Sequence, residues 1–438
     1  MFLWGTATAA YQIEGAADED GRGPSVWDVF THEPGRVRDG HTGDVACDHY
    51  HRWPEDVALM AGLGVNAYRF SVSWPRVLPS GAGEVNAKGL DFYERLVDAL
   101  LEKGVQPVPT LFHWDLPQAL EERGAWLSRD TAARFADYAA VVAGRLADRV
   151  PLWITLNEPF VHMAYGYAMG VHAPGRALLT GALPAAHHQL LGHGLAVRAL
   201  RAAGAREVAI TNNCTPVRPA STEEPDLRAA EAYDILHNRL FLDPVLLGAY
   251  PDLSAYPPGM DCVRDGDLEV IAAPIDALGV NYYNPTRIAA PEEGAGLPFA
   301  DAGLPGHPTT AFGWPIVPDG LRELLTGLKD RYGAALPPIH ITENGCSQED
   351  VLTEDGTVED EGRIAFLRDH IAAMRRAMAE GVDVRGYFVW SLLDNFEWAE
   401  GYHQRFGLVH VDYATLRRTP KASYRWYAEW VRSQNTDT

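Results

Sequence analysis

The sequence predicts an α/β protein whose strands close into a single (β/α)8 barrel, the TIM-barrel architecture. Eight short apolar runs alternate along the chain with stretches of amphipathic, helix-like periodicity. Strands that alternate with helices are typical of a parallel sheet, and eight such units are the number that closes a barrel. An open, doubly wound sheet is disfavoured because no GxGxxG sequence follows an early strand.

The predicted strands are apolar, partly β-branched runs that end at polar residues. In chain order they cover residues 2–7, 65–71, 106–111, 152–155, 207–211, 277–281, 338–342 and 385–391. The clearest helices are predicted at 88–103, where Leu90, Tyr93, Val97 and Leu100 form one apolar stripe, and at 362–380. Longer irregular segments near 20–54, 159–184 and 290–315 follow strands, so we expect them over the carboxyl-terminal mouth of the barrel.

No linker and no change of composition divides the chain. We therefore predict one domain over residues 1–438, with the last few residues frayed. A barrel of this kind commonly holds a chain of this length in one piece.

Composition excludes several classes of partner. The chain has 59 acidic and 37 basic side chains, a formal net charge of −22, which disfavours nucleic acid and anionic membranes. No apolar run reaches the roughly 20 residues of a membrane span, and the first residues lack a signal-peptide pattern. The four cysteines are scattered without metal-binding spacing, so we expect a cytoplasmic protein with reduced thiols. A homo-oligomer is left open.

Polar and aromatic side chains stand at or just beyond the carboxyl ends of the predicted strands. In a barrel these ends meet at one face, where barrel enzymes build their active sites. The residues expected to converge there, in chain order, are Arg69, His113, Trp114, Asn157, Glu158, Tyr283, Glu343, Trp390, Glu397 and Trp398.

Two of these residues, Glu158 and Glu343, indicate glycoside hydrolysis. One carboxyl group protonates the glycosidic oxygen while the other carboxylate meets the positive charge that develops at the anomeric carbon. Tryptophan suits sugars, whose C–H faces are apolar, and four of the 12 tryptophans fall near strand ends or in the mouth segments: Trp114, Trp314, Trp390 and Trp398. A single glutamate at a strand end is often structural, but the pair in this setting favours catalysis.

A set of ordered motifs resembles family 1 glycoside hydrolases, the β-glucosidase family, over nearly the whole chain. The motifs are YQIEG, YRFSVSWPR, HWDLPQAL, TLNEP, NYY, ITENG and WSLLDNFEWAEGY. The resemblance implies a retaining exo-β-glycosidase that removes terminal non-reducing β-D-glucosyl residues from unphosphorylated β-glucosides and short oligosaccharides. It implies a small-molecule β-glycoside as partner and no cofactor.

The resemblance also implies residue roles. Glu158 is expected to be the general acid/base and Glu343 the nucleophile, with Arg69 and Tyr283 holding Glu343 ionised and oriented. The expected substrate-binding residues are Gln12, His113, Asn157, Glu397 and Trp398 as hydrogen-bonding groups, Trp390 as a stacking floor, Trp314 as a wall of the leaving-group site, and Trp114 beside them.

The sequence also bears on alternative activities. A 6-phospho-β-glycosidase is disfavoured because a carboxylate at Glu397 repels phosphate, and a non-catalytic sugar-binding relative is disfavoured because both catalytic carboxylates are present. The sugar itself stays open among glucose, galactose, fucose and xylose, since Gln12 and Glu397 suit either epimer at the fourth carbon. A broad-specificity, β-galactosidase-type or β-fucosidase-type enzyme is the alternative.

Two stretches contain potential metal ligands, but neither has the pattern of a known metal site. His187, His188 and His193 lack the i, i+4 spacing of a helical zinc site, and the acidic run 349–361 lacks the residue order of a calcium loop. We expect no metal in the active site.

Overall fold

The computed structural model describes residues 1–257 and 259–435. Within them, eight parallel strands form a closed barrel in the order β1 to β8. The strands are β1 (Leu3–Ala7), β2 (Ala67–Ser71), β3 (Gln106–Phe112), β4 (Leu152–Asn157), β5 (Glu207–Asn213), β6 (Ala277–Asn281), β7 (Ile339–Asn344) and β8 (Val384–Trp390). The barrel predicted from the sequence is therefore confirmed. The predicted fraying of the last few residues falls on 436–438, outside the described residues.

Three strands extend two residues beyond their predicted ends, because backbone pairing continues after the apolar run has stopped. Asn157 pairs with Thr211, Asn213 with Asn281. At the end of β7, Asn344 pairs with Val389 of β8. The polar residues at these ends are thus held by the sheet itself, which is the rigid support that a reaction centre needs.

Helices surround the barrel. The principal helices are α1 (His49–Leu63), α2 (Ala87–Glu102), α3 (Arg129–Leu146), α4 (Leu183–Ala202), α5 (Glu224–Asp234), α6 (Pro318–Tyr332), α7 (Glu361–Ala379) and α8 (Ala422–Asn435). The two helices predicted most clearly, α2 and α7, each lie one residue from the predicted bounds. The predicted stripe of α2 is confirmed, since Leu90, Tyr93, Val97 and Leu100 are all buried.

The loops contain further short elements of secondary structure. Further α-helices cover Ala10–Ile13, Val26–His32, Trp74–Val77, Gln118–Glu121, Pro159–Val161, Leu240–Leu247 and Asp267–Ile271. Single turns of 3₁₀ helix cover Arg38–Gly40, Ala125–Leu127, Leu179–Ala182, Gly333–Ala335 and Trp398–Glu400, and π-helical turns cover His162–Ala168 and Ile235–Arg239. Small sheets are formed by Val409–Asp412 with Arg417–Pro420, and by Val217–Pro219, Thr286–Ala289 and Ala300–Asp301.

The mouth segments are less irregular than predicted. Within 20–54, residues Val26–His32 form a helix that Ser25 caps by accepting a hydrogen bond from the Asp28 backbone N–H, while the Asp28 carboxylate accepts from the Ser25 N–H. This reciprocal capping box satisfies backbone donors that would otherwise be unpaired. The S-x-x-D spacing was the signal that the sequence analysis missed.

The core has two parts. A large apolar cluster lies between the strands and the surrounding helices, and a smaller one, which includes Ala67, Ile154, Ala209 and Phe388, fills the barrel. A Cβ atom on Gly5 of β1 would lie 2.4 Å from the Phe388 ring, so glycine is what lets this ring occupy the interior. Among the described residues, no helix combines the length and apolar composition that crossing a bilayer requires.

Candidate active site

A cavity of about 650 Å³ opens at the carboxyl-terminal end of the barrel. Nine of the twelve residues predicted to form the site line it: His113, Trp114, Glu158, Tyr283, Trp314, Glu343, Trp390, Glu397 and Trp398. The other three, Gln12, Arg69 and Asn157, are buried behind this lining and are hydrogen-bonded to residues of the site.

Glu343, near the end of β7, has a charged or polar donor on each carboxylate oxygen. Arg69 of β2 donates from Nη1 to Oε1 at 2.5 Å, and the Tyr283 hydroxyl donates to Oε2 at 2.7 Å. The guanidinium is itself placed by donating from Nε to Thr110 Oγ1 at 3.1 Å and from Nη1 to the Thr342 carbonyl at 3.2 Å. The contacts predicted for Arg69 and Tyr283 are therefore present, and the carboxylate is held in one orientation.

Asn157 connects Arg69 and His113 through hydrogen bonds of its side-chain amide. Its Oδ1 accepts from Arg69 Nη2 at 2.6 Å, and because a guanidinium only donates, the Asn157 Nδ2 must point the other way. That Nδ2 lies 3.0 Å from His113 Nε2, which must accept, so the proton of a neutral His113 is on Nδ1. Burial and the charge of Arg69 hold the His113 pKa well below its ordinary value and keep the ring neutral.

Two polar atoms of this network are buried and have no hydrogen-bond partner within residues 1–257 and 259–435. They are His113 Nδ1, a donor in this tautomer, and Gln12 Oε1, an acceptor. The Gln12 amide is oriented by donating from Nε2 to the Phe396 carbonyl at 2.8 Å and to Asn395 Oδ1 at 3.1 Å. A donor and an acceptor left open at one site match the hydroxyl groups of a sugar.

Glu158 has a different environment from Glu343. Its backbone adopts the left-handed conformation, with φ 46° and ψ 61°, directly after β4. Its Oε1 accepts from the amide of Asn281 at 2.7 Å and, more weakly, from that of Asn213 at 3.5 Å. Among the described residues its Oε2 has no hydrogen-bond partner, so that oxygen is available to carry a proton.

The two carboxyl groups therefore bind protons differently. Burial, and then the negative charge of Glu343, raise the pKa of Glu158, and the hydrogen bond from the Asn281 amide and the charge of Arg69 oppose this. Burial also raises the pKa of Glu343, but the Arg69 charge and the Tyr283 hydroxyl oppose that directly. The direct contact of Arg69 with Glu343 thus favours a single shared proton on Glu158 rather than on Glu343.

Aromatic rings and the carboxyl group of Glu397 also line the cavity. The rings of Trp390 and Trp398 each lie 5.9 Å from the His113 ring, and Trp398 lies 4.6 Å from Trp114. Trp314 stacks on Phe312 at 4.4 Å and meets the Tyr283 ring edge-on at 5.2 Å. Burial and the charge of Glu343 raise the pKa of Glu397 to about 8. The cavity therefore offers apolar faces beside acidic groups.

Sequence reasoning missed three residues that act on Glu158. Asn281 belongs to the same NYY motif as Tyr283, and the signal was present but was interpreted for the tyrosine alone. Asn213 is oriented by His237, whose Nε2 lies 2.8 Å from Asn213 Oδ1 and whose Nδ1 lies 3.0 Å from the Tyr233 hydroxyl. His237 stacks on Phe160 at 3.9 Å, in a helical stretch that carried no motif.

The stretches rejected as metal ligands have protein partners. His187 lies 2.9 Å from both Asp267 and Tyr250, His188 bonds the Trp126 carbonyl, and His193 lies against Thr155. In the acidic run, Asp350 and Asp360 pair with Arg363, and Asp350 also pairs with Lys421. These groups are used in packing the barrel and its helices.

Comparison with known proteins identifies the family. The family model described as glycosyl hydrolase family 1 matches residues 1–436. The chain is 52% identical to thermostable beta-glucosidase B of Thermobispora bispora, over 98% of this chain and 90% of that protein. It is 47% identical to beta-glucosidase A of Thermotoga maritima, over 100% of this chain and 98% of that protein.

Solved structures agree with this result. The family 1 β-glucosidase from Thermotoga maritima superposes with a TM-score of 0.94 at 46% identity, covering 98% of this chain and 97% of that one. The psychrophilic beta-glucosidase from Micrococcus antarcticus gives a TM-score of 0.95 at 49% identity, covering 99% and 97%. The resemblance seen in the motifs is confirmed, and the chain belongs to glycosyl hydrolase family 1.

Proposed function

We propose that this chain is a retaining exo-β-glycosidase of the β-glucosidase type. It removes terminal non-reducing β-D-glucosyl residues from unphosphorylated β-glucosides and short oligosaccharides by double displacement. The observation that carries the proposal is the pair Glu158 and Glu343, two buried carboxyl groups at one cavity whose hydrogen-bond partners favour opposite protonation states. Relatives that are 46–52% identical over nearly the full chain are named β-glucosidases, which supports the same activity here.

In the first step Glu343 attacks the anomeric carbon while Glu158 gives its proton to the glycosidic oxygen. The bond to the leaving group breaks, and a covalent glycosyl ester of Glu343 forms. In the second step Glu158 takes a proton from water, and the resulting attack releases the sugar with its original configuration. We expect the two carboxyl groups to lie about 5 to 5.5 Å apart, as this mechanism requires.

The remaining site residues bind the substrate. His113 donates from Nδ1 and Gln12 accepts at Oε1, since these two atoms have no hydrogen-bond partner in the part of the chain that the structure describes. The other proposed hydrogen-bonding groups are Asn157, Glu397 and Trp398, with Trp390 as the stacking floor, Trp314 as a wall of the leaving-group site and Trp114 bracing Asn157. Trp114 Nε1 donates to the Asn157 carbonyl at 2.9 Å, which supports the bracing role.

The acidic site favours an unphosphorylated sugar. Glu397 lines the cavity together with four other carboxyl groups, those of Glu158, Asp301, Glu343 and Glu400, so a 6-phosphate would be repelled. The T. maritima β-glucosidase has been solved in complex with glucoimidazole, which supports a sugar-sized ligand here. A second candidate is combined β-glucosidase and β-fucosidase activity, because a relative from Bifidobacterium breve that is 47% identical carries that name.

Azide rescue tests the assignment of the two carboxyl groups. In Glu343→Ala the space left by the side chain lies opposite the leaving group, so azide should enter there and give an α-glycosyl azide from an aryl β-glycoside. In Glu158→Ala a good leaving group departs without acid help, and azide should attack the intermediate from the other side to give the β anomer. Proton NMR of the products distinguishes the two anomers.

Glu400→Ala is the matched control, because Glu400 also lines the cavity but is held at its edge by Arg38 and Gln404. It should yield no glycosyl azide. Exchanged anomers would mean that the two roles are exchanged. The same anomer from both variants would refute the double displacement.

The biological setting is our inference as well. Among the described residues the four cysteines form no disulfide, and three of them are buried, which supports action in the reducing cytoplasm. Residues 1–438 would then act as a single catalytic domain on short β-glucosides such as those released from cellulose. Growth on cellobiose and cell fractionation of the producing organism test both points.

A further inference from the structure

Three potential metal ligands meet at the rim of the cavity, on two loops that are far apart in sequence. Asp39 and His41 lie on the loop after β1, and His403 lies on the loop after β8. One ligand atom from each residue lies within 4.8 Å of the other two. Asp39 and His403 are exposed and His41 is half-buried, so an ion from solvent can reach all three.

The two loops are already held against each other. His403 Nε2 donates to Asp39 Oδ2 at 2.7 Å, and the His41 and His403 rings lie nearly parallel with centroids 5.4 Å apart. The Tyr402 backbone N–H donates to His41 Nδ1 at 3.2 Å. A Cβ atom on Gly401, whose φ is +59°, would lie 2.5 Å from that same Nδ1, so glycine permits the close approach.

We propose that Asp39, His41 and His403, which we call the rim triad, bind a divalent transition-metal ion such as Zn²⁺. Two imidazoles and one carboxylate are the donor set that Zn²⁺, Ni²⁺ and Cu²⁺ prefer, whereas Mg²⁺ and Ca²⁺ prefer oxygen ligands. The ion replaces the proton that His403 shares with Asp39. The exposed side chains draw together until their ligand atoms lie about 2 Å from the ion, and solvent completes the coordination.

The ion would link the rim to the substrate cavity. The loop that carries His403 also carries Glu397, whose backbone N–H donates to the Gly401 carbonyl at 2.7 Å, and Glu400, which lines the cavity. Arg38, next to Asp39, donates to Glu400 at 3.2 Å. None of the rim triad lines the cavity, so metal binding does not depend on the proposed hydrolytic function.

Calorimetric titration with Zn²⁺ tests the proposal. The titration uses a Cys262→Ser background, because that half-buried thiol is a competing ligand. We expect one ion per chain, with affinity reduced at least about tenfold in His403→Ala and in Asp39→Asn. The matched control is His32→Ala: His32 pairs with Asp44 at 3.2 Å and is exposed like Asp39 and His403, but belongs to no group of three ligands among the described residues.

A spectroscopic measurement identifies the ligands directly. Electron paramagnetic resonance of the Cu²⁺ form should show coupling to two imidazole nitrogens, and His41→Ala and His403→Ala should each reduce this to one. Thermal unfolding measured in parallel shows whether each variant is folded. The proposal is overturned if no saturable binding occurs at millimolar Zn²⁺, or if folded His403→Ala binds as tightly as its background.

Discussion

Replacing Tyr283 by phenylalanine tests how Glu343, the proposed nucleophile, is kept ionised. The Tyr283 hydroxyl donates to Glu343 Oε2 at 2.7 Å, and the ring lies against Trp314, a contact that phenylalanine retains. The substitution therefore removes one hydrogen bond to the carboxylate and leaves the wall of the cavity in place. Because that bond stabilises the charged form, its loss should raise the pKa of Glu343.

The magnitude follows from the kind of bond that is lost. A hydrogen bond to a charged group contributes about 1.5 to 3 kcal/mol, and one pKa unit corresponds to about 1.4 kcal/mol. The pKa of Glu343 should therefore rise by about one to two units. Arg69 still contacts Oε1, so Glu343 stays ionised at alkaline pH and the environment of Glu158 changes little there.

The assay is the pH dependence of kcat/KM for an aryl β-glucoside. The acidic limb requires ionised Glu343 and should move to higher pH, whereas the alkaline limb, which reports mainly Glu158, should stay in place. The bell-shaped pH profile of kcat/KM therefore becomes narrower. Because Glu158 and Glu343 interact, the apparent pKa of each limb depends on both groups. The quantity to compare is therefore the shift of the acidic limb relative to the alkaline limb.

Tyr282→Phe is the matched control. Tyr282 is the neighbouring residue and is fully buried, but its hydroxyl donates to the Val317 carbonyl at 2.7 Å, away from the cavity. Its loss should lower the free energy of unfolding by about 0.5 to 1.5 kcal/mol without moving either limb. If the acidic limb moved equally in both variants, or in neither, Tyr283 would have no special part in holding Glu343 ionised.

Two further predictions concern the other carboxyl groups. Above pH 8, where Glu397 is ionised, Glu397→Ser should lower kcat/KM for an unphosphorylated glucoside by about 10- to 150-fold, since a charge-assisted bond to a sugar hydroxyl is lost, and should weaken discrimination against a 6-phosphate. Unchanged values for both substrates would remove Glu397 from the site. Asn213→Ala should raise the pKa of Glu158 and move the alkaline limb upward, because the amide donates to Glu158 Oε1. His237→Phe should move the alkaline limb in the same direction by a smaller amount, because the stack on Phe160 is kept while Asn213 loses the partner that orients it. If the alkaline limb moved in neither variant, Asn213 and His237 would have no influence on the pKa of Glu158.

The fold was predictable because periodicity reports burial. Each barrel strand is an apolar run, and the predicted bounds of the sixth strand, Ala277–Asn281, match the structure. The strand residues that were not predicted are polar residues at strand ends, such as Asn157 and Asn213. There the apolar run has stopped but the backbone pairing between strands continues. Hydrophobic pattern alone does not mark where backbone pairing stops.

The site was predictable to the extent that it lies in motifs at strand ends. What the sequence does not contain is which of these side chains bond each other, since Arg69 and Glu343 are separated by 274 residues. His237 was missed because its partners, Asn213 and Tyr233, come together only when α5 and its π-helical continuation pack over β5. The rim triad could not be predicted from the sequence for the same reason, because Asp39 and His403 are 364 residues apart.

The difference between two chemically identical carboxyl groups arises from where the barrel places a cation. Arg69 of β2 contacts Glu343 on β7, whereas Glu158 after β4 receives only amide donors. One of the two causes that raise the pKa of Glu158 is the charge of Glu343. In the mechanism we propose, that charge is consumed when Glu343 forms its covalent bond to the sugar, so the pKa of Glu158 falls as the intermediate forms. Burial alone then opposes ionisation, and the group that donated a proton in the first step becomes able to accept one from water in the second.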